Sequence, residues 1–217
     1  LIAEHIGAYS NGYSLGEIIG RGGTSGIGVF SFDFGGFIVD GGHSLKSKSS
    51  FLPSSASQAK PPQLLAHYDF PDDWEILLVI LDSKNTVNGQ KEVNIFQDYC
   101  PVPKNEVEQT SHIIFMNMIP FLLERDLPAF GHSIDEIQKR GFKNVEVSLQ
   151  SQQIRDLMDK LREIGAYGVG MSSFGPTVYS VFDKNNKHIV EEIKEYVGDR
   201  GTVLTTKAQN YGHEIQK

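Results

Sequence analysis

Ser151 to Phe182 reads SQQIRDLMDKLREIGAYGVGMSSFGPTVYSVF, and this stretch decides the fold. Ile154, Leu157, Met158, Leu161 and Ile164 recur at helical spacing, which predicts a helix with one apolar face, capped by Ser151 and stopped by Gly165. Ala166 to Met171 and Thr177 to Phe182 then read as two strands, joined by the turn Ser172-Ser173-Phe174-Gly175-Pro176.

On the amino-terminal side, Val145 to Leu149 alternates as a strand would. On the carboxyl-terminal side, Ile189, Val190, Ile193 and Val197 mark a second helix ended by Gly198, and Thr202 to Thr206 reads as a last strand. The order β-α-β-β-α-β is that of a ferredoxin-like lobe. A competing assignment makes Glu75 to Leu81 the first strand, with the helices of 104–139 inserted after it. Trp74 to Leu81 has the length of a central strand, and a lobe boundary is expected just before it, near Pro71. Residues 104–125 read as one long helix, apolar almost all round after Ile113 and therefore expected to be buried, with a kink at Pro120. Met116 and Met118 are expected in the core. A further helix is expected over 127–139.

The first third is organised differently. Residues 14–20 read as a short helix, with Ser14 and Glu17 at capping-box spacing. A glycine-rich run follows, Gly20-Arg21-Gly22-Gly23-Thr24-Ser25-Gly26-Ile27-Gly28. Residues 36–40 read as a buried strand ending in Gly41-Gly42. Ser44 to Pro62, rich in Ser, Lys and Pro, reads as a loop, long enough to be functional or mobile. Leu1 to Ile6 reads as a helix already under way, which leads us to expect further residues before Leu1.

Composition narrows the function. The 217 residues carry a net charge of −7, against the basic field a nucleic-acid binder needs. Cys100 is the only cysteine, so an intrachain disulfide and a cysteine-rich zinc site are both excluded. The longest apolar run, Ile113 to Leu123, contains Asn117 and Pro120 and is too short to span a bilayer. A reducing cytoplasm, with no nucleic-acid or membrane partner, is the natural expectation.

Two constellations can carry chemistry. The glycine run is no Walker loop, because no Gly-Lys pair occurs in the chain, and it does not fit the dinucleotide fingerprint. Glycines that let backbone N–H groups approach closely, hydroxyls at Thr24 and Ser25, and a guanidinium at Arg21 nevertheless suit an anion. On composition alone, a tight structural turn with a solvated arginine reads equally well. The second constellation is Gly168 to Pro176, where small residues and the hydroxyls of Ser172 and Ser173 suit a ligand or an ordinary hairpin. His43, at the end of a strand, could donate to phosphate or move a proton. His67, His112, His132, His188 and His213 show no metal-ligand spacing.

Several long segments resemble the β-ribofuranosylaminobenzene 5'-phosphate synthase family. They are Gly20 to Gly28, Gly35-Gly36-Phe37-Ile38-Val39-Asp40-Gly41-Gly42-His43, Glu92 to Phe96 with Cys100-Pro101-Val102-Pro103, and Gly170 to Tyr179. The resemblance runs in order from about Ser14 to the final strand. It implies an α+β, GHMP-kinase-like two-lobe fold: residues 1–70 as the carboxyl-terminal part of the first lobe, and 71–217 as a ferredoxin-like second lobe. It also implies that the superfamily's phosphate loop lies upstream of Leu1.

The implied activity joins 5-phosphoribosyl 1-diphosphate to 4-aminobenzoate, or to 4-hydroxybenzoate, with loss of carbon dioxide and pyrophosphate, on the way to methanopterin. Mg²⁺ is the implied cofactor, bound largely through the pyrophosphate, and a homodimer is a plausible assembly for the superfamily. Arg21 and His43 are the expected catalytic residues. Gly22, Gly23, Thr24, Ser25, Gly26, Gly170, Ser172 and Ser173 are the expected substrate-binding residues. Arg21, Thr24 and Ser25 would meet phosphate, and His43 the leaving group or the benzoate carboxylate. Small-molecule kinases of the superfamily often carry Asp where this chain has Gly28, and that Asp serves as catalytic base or helps organise the site. Gly28 offers no carboxylate, which favours the transferase over a GHMP-type kinase; a non-catalytic ligand sensor on the same fold is the other alternative.

Overall fold

The computed structural model describes residues 11–214, apart from 45, 47, 49, 54, 55, 58, 83–86 and 88. The helix expected over Leu1 to Ile6 lies outside the described residues. The chain divides into two units. The first comprises Leu1–Phe70, Asn88–Asp98 and Ala208–Lys217, and the second Pro71–Val87 and Tyr99–Lys207.

In the first unit, α1 (Gly12–Ile19) and α2 (Ile27–Phe34) form a helical hairpin across the glycine run. The cap of α1 is Asn11, whose side chain accepts from the Ser14 N–H, so the expected Ser14–Glu17 box gives way to an earlier start. Glu17 pairs instead with Lys60. Strand β1 (Phe37–Asp40) pairs antiparallel with β2 (Leu64–Tyr68), an element the sequence reading missed. Only Val39 of β1 is buried; the other residues are half-exposed, since a two-stranded sheet leaves much of its surface wet. Helix α3 (Gly89–Tyr99) follows in the chain. The carboxyl-terminal segment secures the unit: Asn210 bonds both the N–H and C=O of Phe70, and the Gln209 carbonyl accepts from the Gly36 N–H at 2.7 Å.

The second unit is built on β3 (Trp74–Leu81). After it come α4 (Lys104–Ile113), a π-helical turn over Ile114–Met118, α5 (Ile119–Glu124), α6 (Leu127–Gln138), α7 (Gly141–Ser148) and α8 (Gln152–Glu163). Strands β4 (Tyr167–Met171) and β5 (Thr177–Asp183), helix α9 (His188–Val197) and strand β6 (Gly201–Thr206) complete it. The sheet order is β4-β5-β3-β6, and every pairing is antiparallel. Taken as β3-α8-β4-β5-α9-β6, this is the split βαβ arrangement of a ferredoxin-like lobe, with Trp74–Leu81 as its first strand and α4 to α7 inserted after it.

Val145 to Leu149 is therefore no strand. Residues 141–148 are helical, and Lys143 and Glu146 pair one turn apart along it. Two valines two residues apart fit either period, and a window that short cannot separate them.

The core forms where the apolar face of α8 meets the sheet. Ile154, Leu157, Met158 and Leu161 are almost wholly buried with Leu77, Val79, Val169 and Phe182, and α9 adds Ile189 and Ile193. Each such side chain contributes about 1.5–3 kcal/mol on leaving water. Val169 and Met171 belong to this core. Gly168, on the other face of β4, approaches Gly131 of α6 so closely that a Cβ at either position would meet the opposite backbone near 3 Å or less.

The 104–124 segment departs from expectation. Ile113, Met118, Ile119 and Leu122 are buried, but Phe115, Met116 and Leu123 are exposed, so Met116 is not core. Pro120 lacks the N–H that an α-helix would bond four residues back. The π turn ends just before it, so the chain widens rather than breaks. Among the described residues no helix is long and apolar enough to cross a membrane.

Candidate functional site

The candidate site lies within the first unit. Gly20 ends α1 in the left-handed conformation, and Gly26 caps α2, so the glycine-rich run is a short connection between two helices. Gly22, at φ 84°, passes against Pro61 with no space for a side chain: a Cβ there would lie 2.8 Å from the proline ring. Asp40, at the end of β1, clasps the connection. Its Oδ2 accepts from Ser25 Oγ and from the Gly26 N–H, both at 2.8 Å, and its Oδ1 accepts from the Gly42 N–H at 2.9 Å.

A pocket of about 440 Å³ opens on this hairpin. Leu15 and Ile19 of α1, Val29 and Phe32 of α2, and Arg21 and Ser25 of the connection are in its lining. Gly28, on the first turn of α2, lines it too, and a Cβ at that position would meet nothing within 4 Å. Neither close packing nor a left-handed backbone requires glycine at position 28. Phe32 is held in place by His213, whose ring stacks on it with centroids 3.9 Å apart and planes 7° from parallel. The His213 N–H also donates to the Phe32 carbonyl at 2.8 Å.

Of the residues named from sequence, Arg21, Gly22 and Ser25 come together in this lining. Arg21 is exposed and pairs with no carboxylate among the described residues. The Ser25 hydroxyl donates to Asp40 and accepts from the Ile27 N–H at 3.3 Å, which leaves it little capacity as a donor to a ligand. Thr24 Oγ1 donates to the Leu52 carbonyl at 3.2 Å, and the Gly23 carbonyl accepts from Lys48 Nζ at 2.6 Å. His43 Nε2 lies 2.8 Å from the Lys60 carbonyl and donates to it. Asp40, Leu15, Ile19 and Phe32 were not named from sequence. The three apolar residues become site residues only when the two helices fold against each other, and no local signal marks them.

Gly170, Ser172 and Ser173 lie in the second unit, Gly170 near the end of β4 and the two serines on the β4–β5 connection. Its backbone is secured from several elements. Met171 N–H donates to Gln138 Oε1 at 3.1 Å, Gln150 Nε2 donates to the Phe174 carbonyl at 2.6 Å, and Lys143 Nζ donates to the carbonyls of Met171 and Ser173 at 3.2 and 3.3 Å. Ser173 is held at φ 46°, a conformation a non-glycine residue adopts only when its surroundings impose it. Ser172 and Ser173 are both exposed. Gly170 faces Tyr179, whose phenol lies 2.4 Å from where a Cβ would be. Burial, with the Asp135 carboxylate second, pushes that phenol up to about 12, so Tyr179 packs as a neutral ring.

Among the described residues, no group of three or more His, Cys, Asp or Glu side chains gathers to hold a metal ion. Asp40, the acid that bonds the glycine run, already accepts three hydrogen bonds.

Residues 118–201 match the family model described as GHMP kinases C terminal. Among solved structures, homoserine kinase from Cytophaga hutchinsonii superposes with a TM-score of 0.66 at 15% identity, covering 97% of this chain and 62% of its own. The fold is thus that of the GHMP kinases. Two curated relatives are each named beta-ribofuranosylphenol 5'-phosphate synthase. That of Methanothermobacter thermautotrophicus is 50% identical over 212 residues, covering 98% of this chain and 64% of its own length. That of Methanocaldococcus jannaschii is 46% identical over 222 residues, covering 99% and 66%. The chain belongs to this synthase family, and it spans just under two thirds of the length of these relatives.

Proposed function

We propose that the protein to which this chain belongs transfers the 5-phosphoribosyl group of 5-phosphoribosyl 1-diphosphate to a para-substituted benzoate, as a step toward methanopterin. The bond from the anomeric carbon to the diphosphate oxygen breaks, and the diphosphate takes the electron pair. The ring carbon bearing the carboxylate attacks the cationic sugar. The bond from that carbon to the carboxylate then breaks, carbon dioxide leaves, and its electron pair restores the aromatic ring. The relatives' name specifies a phenol product, so 4-hydroxybenzoate is the acceptor we favour, with 4-aminobenzoate second.

The chain's task in this reading is electrostatic and steric: to hold anions, to keep water from the cation and to align the ring. Arg21 is the anion-binding group of the first unit. Ser172 and Ser173, on a backbone that cannot shift easily, offer hydroxyls to a substrate. Thr24, with Gly22, Gly23 and Gly26, serves by shaping the hairpin. Mg²⁺ is proposed only as a companion of the diphosphate, and no step is routed through it.

The observation that carries the reading is the 50% identity to a named synthase along 98% of this chain. Gly28 supports it: a kinase needs a group to activate the acceptor hydroxyl, and the described residues that line the pocket include no Asp or Glu. The test is release of labelled carbon dioxide from carboxyl-labelled 4-hydroxybenzoate by the full-length protein. Release that depends on phosphoribosyl diphosphate is expected. Consumption of ATP without pyrophosphate formation would establish a kinase instead, and ligand binding without turnover a sensor.

A further inference from the structure

Resting on that reaction, we infer that the α1–α2 pocket is the subsite for the aromatic acceptor, and that Gly28 sets which acceptors enter. The ring would lie against Leu15, Ile19, Val29 and Phe32, with its carboxylate on Arg21.

Among the described residues that line the pocket, Arg21 is the only charged one, and most of the rest is apolar. A phosphoribosyl diphosphate carries several negative charges and a hydroxylated sugar. One guanidinium among aliphatic and aromatic walls matches that ligand poorly. A singly charged aromatic acid matches it well, because its ring removes apolar wall from water while its carboxylate takes the bidentate geometry guanidinium favours. The hydroxyls of Thr24 and Ser25, which the sequence suggested for phosphate, already donate within the protein.

Exposure points the same way. Ile19 is 60% exposed and Phe32 41%, although both border a concave site. A planar ring laid between them would cover apolar surface that is now wet. Phe32 does not have to reorganise for this, since His213 stacking fixes its ring. Gly28 completes the case. The other glycines of the connection have a backbone or packing reason, such as Pro61 at Gly22 or Phe30 at Gly26. Gly28 has none, and it sits within α2, where glycine costs about 1 kcal/mol relative to alanine. Open volume facing the ligand is what that cost preserves.

The test uses the full-length protein with Gly28→Ala, Gly28→Leu and Arg21→Gln, each checked by thermal melting. Gly28→Ala should melt no lower than the parent, because its Cβ enters empty space. Binding of 4-hydroxybenzoate, 4-hydroxybenzamide and phosphoribosyl diphosphate is followed by titration calorimetry, with and without pyrophosphate. Gly28→Leu should weaken 4-hydroxybenzoate by roughly tenfold or more, while phosphoribosyl diphosphate changes less than about twofold. Should the leucine variant melt early, Gly28→Ala is read in its place, with a smaller change of the same kind. Arg21→Gln should weaken 4-hydroxybenzoate but leave the uncharged amide unchanged. A loss confined to phosphoribosyl diphosphate would make the pocket a donor site and overturn the inference, as would indifference of both ligands to position 28. The two readings fail separately. Benzoate binding that depends on Gly28 without carbon dioxide release keeps the subsite and removes the reaction, whereas turnover with benzoate affinity unmoved in every variant does the reverse.

Discussion

The connection at 20–28 and the turn at 170–176 are both runs of small residues, and they use them in opposite ways. In the turn, the small residues are occupied by packing. Gly170 accommodates a partly buried tyrosine, and Gln138, Lys143 and Gln150 hold the carbonyls and N–H groups around it. What remains for a ligand is two serine hydroxyls on a backbone that cannot move. In the connection, a left-handed backbone or packing explains the glycines up to Gly26 and then stops, leaving Gly28 open to a pocket. A glycine-rich motif is therefore weak information by itself. The glycine that no neighbour requires is the one to examine for function.

The sharpest way to break this contrast is Gly170→Val. The nearest atoms belong to the phenol ring of Tyr179, which is partly buried against the strand and would have to swing aside. Overpacking at such a site is expected to cost about 3 kcal/mol, read as a drop in the urea midpoint. A variant as stable as the parent would mean that Gly170 is as unconstrained as Gly28, and the contrast would be lost.

Asp40→Ala gives the next largest effect, and it falls on the other region. It removes one carboxylate that accepts three hydrogen bonds, from Ser25, Gly26 and Gly42. Because the site is partly open to water, which re-solvates the freed donors, about 2 kcal/mol is expected. Asp40→Asn, which keeps an acceptor oxygen, should lose less. Substrate affinity should fall in both variants, because the clasp holds the pocket rim in shape. Unchanged affinity with lowered stability would show that the pocket is formed by α1 and α2 without help from β1.

How much of this was legible follows from what kind of signal each feature leaves. Helices α8 and α9 and strands β3 to β6 are legible because their apolar residues keep one period over a long enough window. Strand β2 carries no such pattern: Leu64-Leu65-Ala66-His67-Tyr68 does not alternate, and it forms only by pairing with β1. The exposed Phe115 and Met116 were misread because a dense apolar run says nothing about which face lacks a neighbour. At the site, the glycine run and Arg21 were legible as a motif. The Asp40 clasp, fifteen residues from Ser25, and the apolar walls from two helices were not, because tertiary contact creates them.

The smallest predicted effect tests how the rigid turn is supported. Lys143 donates to the carbonyls of Met171 and Ser173 and pairs with Glu146, itself 7% exposed. Burial pushes the Glu146 carboxyl above its ordinary 4.5, and attraction and hydrogen bonding to Lys143 offset this only in part. A carboxyl raised on folding binds more protons in the native than in the unfolded chain once the pH exceeds 4.5, so its contribution is most favourable at or below that pH and declines as the pH rises through the native value. Glu146→Gln abolishes this titration. Glu136, held below its ordinary value by Lys139 and Arg140 at the surface, slopes the other way in both proteins and cancels in their difference. The urea midpoint of the parent minus that of Glu146→Gln should therefore shrink as the pH is raised from 4.5 toward neutrality. A difference that grows instead would mean that attraction to Lys143 outweighs burial, and that a working ion pair, rather than buried packing with a reluctant carboxylate, holds the Ser173 turn.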